Sequence, residues 1–130
     1  MEIFPGLHIN KIIPAGPHDP RGPTYEWCKH RPGLQVTIYK RKAGTIAGNH
    51  YHKGDDPSKN PEYFFLIEGK LKLTASTSHN THQCEEIIES GTELIIGPNI
   101  KHSMEALTDI IFIEYRSTVF DPNNPDTYSC

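Results

Sequence analysis

His50 and His52 lie one residue apart in Gly48-Asn49-His50-Tyr51-His52. A β-strand through them turns both imidazoles to one side, because strand side chains alternate. Glu62 follows after nine intervening residues and opens the apolar run Tyr63-Phe64-Phe65-Leu66-Ile67, which reads as a strand. His102 comes much later, just beyond Gly97-Pro98-Asn99. Three imidazoles and a carboxylate are a usable ligand set for a divalent transition metal, with zinc the first expectation and iron, manganese or nickel the alternatives. An ion with one or two open positions polarises a carbonyl or activates water, and a redox metal adds oxygen chemistry. The ligand types do not choose among these.

The spacing is more specific than the residue types. It reads Gly44-x5-His50-x-His52-x9-Glu62-x6-Gly69, then Gly91-x5-Gly97-x-Asn99-x2-His102. This resembles the two motifs of the cupin superfamily, G-x5-HxH-x3-4-E-x6-G and G-x5-PxG-x2-H-x3-N, over roughly residues 34 to 116. The resemblance implies an all-β, single-domain jelly-roll barrel, a double-stranded β-helix holding a metal between its sheets. There are departures. The longer gap before Glu62 needs an inserted loop, Gly97 replaces Pro, and Ala106 replaces Asn. Asn99 replaces Gly, and Asn is the next most tolerant residue at positive φ. None of these removes a ligand.

The elements that must carry these groups follow from alternation and turn chemistry. Residues 1–33 form an N-terminal arm, with room for one short strand between Phe4 and Ile13, turns around Pro14-Ala15-Gly16-Pro17 and Pro20-Arg21-Gly22-Pro23, and a strand fragment at Tyr25-Glu26-Trp27. An arm this rich in Pro and aromatics suits a crossing to a partner subunit or a lid on the barrel mouth. The barrel occupies 34–118. In its first strand Leu34, Val36, Ile38 and Lys40 share one face, and Gln35, Thr37, Tyr39 and Arg41 the other. Residues 53–61 (KGDDPSKNP) read as an exposed loop at the ligands, either a lid or a tolerated insertion. Tyr63–Ile67 and Leu71–Thr74 are expected to form a hairpin about Glu68-Gly69-Lys70, with Phe64 and Leu66 walling the pocket. Met104 and Ala106 follow His102 on one face. Ile110–Arg116 has apolar residues on both faces, so either Glu114 and Arg116 or Tyr115 looks inward. His79 and His82 fall in a polar turn and are expected to be solvated. Residues 119–130 form a loop-like tail.

One domain is what 130 residues allow. A net charge of −3 leaves no basic footprint for nucleic acid. No apolar run approaches the roughly 20 residues of a membrane helix, and residues 1 to 30 lack a signal-peptide layout, so cytoplasmic is the default expectation. Cys28, Cys84 and Cys130 are widely spaced and odd in number, and read as free thiols. The cupin resemblance further implies a homodimer, since cupins of this size usually pair through a strand edge, which hides its unpaired backbone groups.

The flanks narrow the resemblance. Asp19-x-Arg21-Gly22-x3-Glu26 resembles a stretch near the start of dTDP-4-dehydrorhamnose 3,5-epimerase-like cupins. Phe120-Asp121-Pro122-Asn123-Asn124-Pro125-Asp126-Thr127-Tyr128 resembles the tail of the cupin domain in capsular UDP-sugar epimerase/reductases, whose metal stretch has the form R-G-N-H-W-H. Ala47 stands where that Arg would contact nucleotide phosphate, which leaves Arg21, Lys53 or Arg116 to replace it. Asn49 and Phe64 complete the expected substrate contacts. The resemblance implies epimerisation or ketoisomerisation of a nucleotide-linked 4-keto sugar in polysaccharide biosynthesis. Tyr39, Glu114 and Tyr115 are then the candidate proton donors and acceptors. In metal-free epimerases of this type the histidine matching His50 is the base. A lone pair given to a metal cannot also take a proton, and the ligand role is the preferred reading. The competing functions are an iron-, nickel- or manganese-dependent dioxygenase of a small molecule, and a non-catalytic cupin that binds carbohydrate or metal.

Overall fold

The computed structural model describes residues 1–130 and contains eleven strands and no α-helix. In chain order they are β1 (Glu2–Phe4), β2 (Leu7–Lys11), β3 (Gln35–Arg41), β4 (Ile46–Tyr51), β5 (Glu62–Glu68), β6 (Lys70–Thr77), β7 (Gln83–Glu89), β8 (Thr92–Ile96), β9 (Ile100–Ala106), β10 (Ile110–Arg116) and β11 (Tyr128–Ser129). They form two antiparallel sheets, ordered β1-β2-β8-β5-β10-β3 and β11-β4-β9-β6-β7. No strand belongs to both, so the expected barrel is a two-sheet sandwich with open edges rather than a closed cylinder. It is the jelly-roll that the cupin-like spacing implied.

Alternation builds the core. Along β9, Ile100, His102, Met104 and Ala106 are buried while Lys101, Ser103 and Glu105 between them are half-buried. Fifteen buried residues, among them Leu7, Leu66, Leu71, Leu73 and Phe112, fill the space between the sheets. Burying each such side chain contributes roughly 1.5–3 kcal/mol.

The expected hairpin about Gly69 does not exist. β5 pairs with β8 and β10, whereas β6 pairs with β7 and β9, so the chain crosses from one sheet to the other at Gly69. Gly69 has φ +93°, and a Cβ there would lie 2.3 Å from the Asp109 carbonyl oxygen. Only glycine fits that crossing. It lets Leu66 and Leu71 enter one core from opposite sides, which a hairpin would forbid.

The arm also differs from expectation. Its first residues supply two strands, β1 and β2, and β2 extends the first sheet along β8. Tyr25 to Trp27 form no strand. Instead Tyr25 and Trp27 pack on Phe65, with ring centroids 5.7 and 5.6 Å away, and the Trp27 indole N–H donates to Glu93. The arm therefore covers the outer face of the first sheet. On β3 the polar face looks inward, and Leu34, Val36 and Ile38 are 73, 55 and 63% exposed. β3 is a sheet edge, bonded only to β10.

Candidate functional site

Three strands and one loop converge on the histidines. His50 lies near the end of β4 directly opposite His102 on β9. A bulge precedes it, where Gly48 and Asn49 take φ of +88° and +62°. A Cβ on Gly48 would come within 3.0 Å of the His102 carbonyl oxygen, so the glycine permits the close approach of β4 and β9. Asn99, also at φ +62°, makes the turn into β9. Ring centroids of the His50–His52, His50–His102 and His52–His102 pairs are 4.7, 4.8 and 5.6 Å apart. Glu62 begins β5 on the facing sheet and is only 3% exposed. The four residues singled out from spacing thus meet in one place.

Hydrogen bonds assign the tautomers. His52 Nδ1 lies 2.8 Å from the Asp126 carbonyl oxygen, and His102 Nδ1 lies 3.0 Å from that of Ile100. A carbonyl only accepts, so each Nδ1 carries the proton and each Nε2 offers its lone pair inward. Those two Nε2 atoms are 3.0 and 3.4 Å from Glu62 Oε1. Neither His52 Nε2 nor Glu62 Oε1 has a partner in hydrogen-bond geometry. Three buried acceptors facing one another repel unless a proton or a metal cation lies among them.

The donor set fits a metal. Ligand atoms of His50, His52 and His102 lie within 4.8 Å of one another. Nitrogens sharing a tetrahedral zinc lie roughly 3.3 Å apart, so rotamer adjustments of about an ångström would close the three on one ion. His50 differs from the other two: it is half-buried, and no hydrogen bond locks either of its nitrogens. Burial first, then the neighbouring His102 and His52, pulls its pKa down to about 4, so it is neutral at physiological pH.

Above the histidines is a cavity of about 300 Å³ between the sheets. A larger hollow of about 870 Å³ is enclosed by the Pro- and Gly-rich turns from Pro14 to Thr24 and lies away from the histidines. On β10 the charged face looks inward, settling what alternation left open. Glu114 and Arg116 are 1 and 5% exposed. Glu114 Oε1 accepts from Tyr39 Oη at 2.9 Å and from Arg116 Nη2 at 2.7 Å. Arg116 also donates to Ser58 Oγ, and its guanidinium lies 5.0 Å from the Phe120 ring. Burial and then the Glu62 charge hold the Glu114 carboxyl well above the ordinary range. In Glu62, burial pushes the same way, but a proton placed on the facing imidazoles, through a hydrogen bond from His52 and then the charge of His102 and His52, outweighs it and holds that carboxyl low. Of the two acids, Glu114 is the one held toward its protonated form. Burial and Glu114 push the Tyr39 phenol up to about 12, so it is a proton donor at neutral pH. Phe64 lines the same cavity.

Four expected site residues lie elsewhere. Tyr115 faces outward, donates to the Arg31 carbonyl at 3.2 Å and packs edge-on against Trp27. Gly33 sits so close beneath its ring that a Cβ would clash at 2.4 Å. Tyr115 anchors the arm and does not reach the cavity. Arg21 is exposed and paired with Asp19 at 2.6 Å, since an arm lying on the outer face cannot deliver it to the histidines. Asn49, thrown outward by its positive φ, borders a separate hollow of about 160 Å³ beside Lys101 and Cys130. Lys53 is exposed, with Nζ 4.2 Å from the Tyr128 ring centroid.

Other groups at the site were missed. Lys59 and Arg41 line the cavity. Arg41 shares the polar face of β3 with Tyr39, a signal the alternation carried. Lys59 belongs to the loop read as exposed, but Asp56, Ser58 and Lys59 are 4, 1 and 6% exposed. A short 3-10 turn, Pro57–Lys59, capped by the Asp56 side chain, folds them inward. The Lys59 ammonium donates to the Pro125 carbonyl and Thr127 Oγ1. His79 and His82 are exposed as expected.

The polysaccharide biosynthesis C-terminal domain family matches residues 17–128. The chain belongs to that family. A UDP-2-acetamido-2,6-beta-L-arabino-hexul-4-ose reductase of Pseudomonas aeruginosa is 27% identical over 117 residues, covering 86% of this chain and 30% of the reductase. The structure of the capsular polysaccharide assembling protein CapF from Staphylococcus aureus superposes at a TM-score of 0.62 with 30% identity, over 95% of this chain and 32% of CapF. The chain thus spans about a third of the length of these relatives. ChmJ, a 3'-monoepimerase from Streptomyces bikiniensis in complex with dTDP-quinovose, superposes at 0.77 with 16% identity, over 95% of this chain and 69% of ChmJ. That likeness shows a shared fold.

Proposed function

We propose that this chain is an isomerising module that epimerises or ketoisomerises a nucleotide-linked 4-keto sugar in polysaccharide biosynthesis. The observation that carries it is the pairing, in one cavity, of lone-pair-bearing imidazoles with a proton-donating Tyr39–Glu114–Arg116 chain. Removing a proton next to a carbonyl needs a base on one side and a stabiliser of the enolate oxygen on the other. Tyr39 Oη, held between Glu114 and Arg116, is positioned to donate. Arg116 and Lys59 supply positive charge at the cavity. Phe64, Met104 and Phe112 form its apolar wall. His50, His52 and His102 would hold a divalent transition metal, zinc first, with Glu62 as a further ligand. Bound there, the ion would supply Lewis-acid polarisation of the carbonyl. ChmJ, a 3'-monoepimerase in complex with dTDP-quinovose, and CapF, a capsular polysaccharide assembling protein, support the substrate class.

A second reading takes His50 as the base, with His52 and Glu62 sharing a proton in place of a metal. His50's lack of a hydrogen bond and its half-exposure favour that reading. One experiment separates the two. Purified protein is incubated in D₂O with a UDP- or dTDP-4-keto sugar, before and after chelation. The metal reading expects deuterium to enter next to the carbonyl and chelation to stop it. Exchange that survives chelation but is lost in His50→Asn assigns the base to His50. No exchange under any condition sinks both.

We further propose a homodimer formed through the β3 edge, where unpaired backbone groups and the exposed Leu34, Val36 and Ile38 coincide. Sedimentation is expected to give a dimer, and Ile38→Lys a monomer. A wild-type monomer at tens of micromolar would refute the proposal.

A further inference from the structure

We propose that Asp126, in the tail after β10, is a positioning residue that selects the His52 tautomer and orders the loop following it. Its carboxylate accepts backbone N–H groups from Lys53 at 3.1 Å and from Gly54 and Asp56 at 3.0 Å each. Its own carbonyl takes the His52 Nδ1 proton at 2.8 Å. One residue thus grips both the imidazole and the three amides that lead away from it. A φ of 45° turns the carbonyl and the carboxylate toward the same loop, a conformation Asp and Asn adopt more readily than most residues. The residue is 5% exposed, and the grip is braced from the loop side by Lys59, which donates to the residues either side of Asp126. Without this clamp nothing else at the site fixes which His52 nitrogen faces Glu62, because its Nε2 has no hydrogen-bond partner of its own. His102 is different. Its tautomer is set by the Ile100 carbonyl two residues away on its own strand, so it needs no help from the tail.

That contrast supplies an internal control. The test uses the full chain, metal-free, labelled with ¹⁵N-histidine, in wild type, Asp126→Gly and Asp126→Asn. Glycine keeps the positive φ without strain and removes the carboxylate. Asparagine keeps one acceptor oxygen. In wild type, His52 and His102 are both expected to show a single form protonated at Nδ1. In Asp126→Gly, His52 is expected to average between its two tautomers while His102 is unchanged. The Lys53, Gly54 and Asp56 amides should exchange with solvent roughly ten- to a hundredfold faster, the loss expected for hydrogen bonds to a charged acceptor. Asp126→Asn should fall between. If His52 keeps its tautomer in Asp126→Gly, or the three amides keep their protection, the proposal fails. It fails equally if His102 changes with His52, since the tail would then be acting on the whole site. A zinc titration, resting on the metal reading, is expected to show affinity lowered about 10- to 100-fold in Asp126→Gly. Absence of zinc binding in wild type would count against the metal alone, because the tautomer readout stands without it.

Discussion

Replacing His102 with alanine is expected to weaken zinc binding by roughly two to three orders of magnitude. A structural zinc site binds with about 10–16 kcal/mol, and a share of a quarter to a third per ligand is about 3–4 kcal/mol. The consequence for stability has opposite signs with and without metal. In the chelated protein, His102 Nε2 is one of two acceptors that face Glu62 Oε1, so its removal relieves a repulsion and offsets part of the packing lost. In the zinc-loaded protein the same change removes stabilisation in proportion to the lost affinity. Thermal unfolding of wild type and His102→Ala, each with excess zinc and with chelator, measures all four states. The expected pattern is a large zinc-dependent rise in Tm for wild type and little or none for the variant. An equal rise in both would exclude His102 as a ligand.

The second large effect concerns the buried acid on β10. Glu114→Leu is expected to destabilise the fold by about 3–5 kcal/mol, because it leaves the Arg116 guanidinium, 5% exposed, without a carboxyl partner. Arg116 cannot shed its charge. Glu114→Gln should cost far less, about 1 kcal/mol or under, since its side-chain oxygen still accepts from Arg116 and Tyr39 and an amide mimics the protonated acid. The double variant Glu114→Leu/Arg116→Leu should recover most of the loss. The pH dependence follows from the same proton. The Glu114 carboxyl is pushed up to about 9 from an ordinary 4.5 by burial and the Glu62 charge. The folded state therefore binds the proton more tightly than the unfolded chain, and its stabilising share is complete below pH 4.5 and fades as pH rises toward 9. His50 titrates below 6.5, which leaves pH 6.5 to 9 as the clean window. Urea unfolding across that window should show wild type weakening with pH and Glu114→Gln much less so. A flat wild-type profile, or equal losses in the Leu and Gln variants, would show that Glu114 carries no proton.

Several features of the site were legible before any coordinates. His50, His52, Glu62 and His102 are recognisable because strand alternation and glycine-bounded turns are local, and their spacing is a direct record of where the chain reverses. Asn99 at positive φ was readable for the same reason. Phe64 and Met104 followed from counting by two. The orientation of β10 was not legible. Both of its faces carry apolar residues, and only the neighbours decide: Trp27 and Gly33 of the arm receive Tyr115, while Tyr39 and Ser58 complete the inward pair Glu114–Arg116. Nor did alternation show that the apolar side of β3 looks outward. A polar inner face is tolerable only where a cavity and hydrogen-bond partners await it, and those come from strands far away in the chain.

By itself, then, the chain's residue order determined an all-β jelly-roll and the identity of the four groups that meet at its centre. Tertiary structure decided how those groups are protonated and what surrounds them. The crossing at Gly69 put β5 and β6 in different sheets, since two runs flanking a turn can pair or part with the same local preferences. Folding of residues 56–59 under the tail brought Lys59 to the cavity and Asp126 to His52, contacts that link positions about seventy residues apart. Hydrogen-bond partners at such separation leave no periodic trace, because each is specified by the closing of the fold and not by the neighbours on either side.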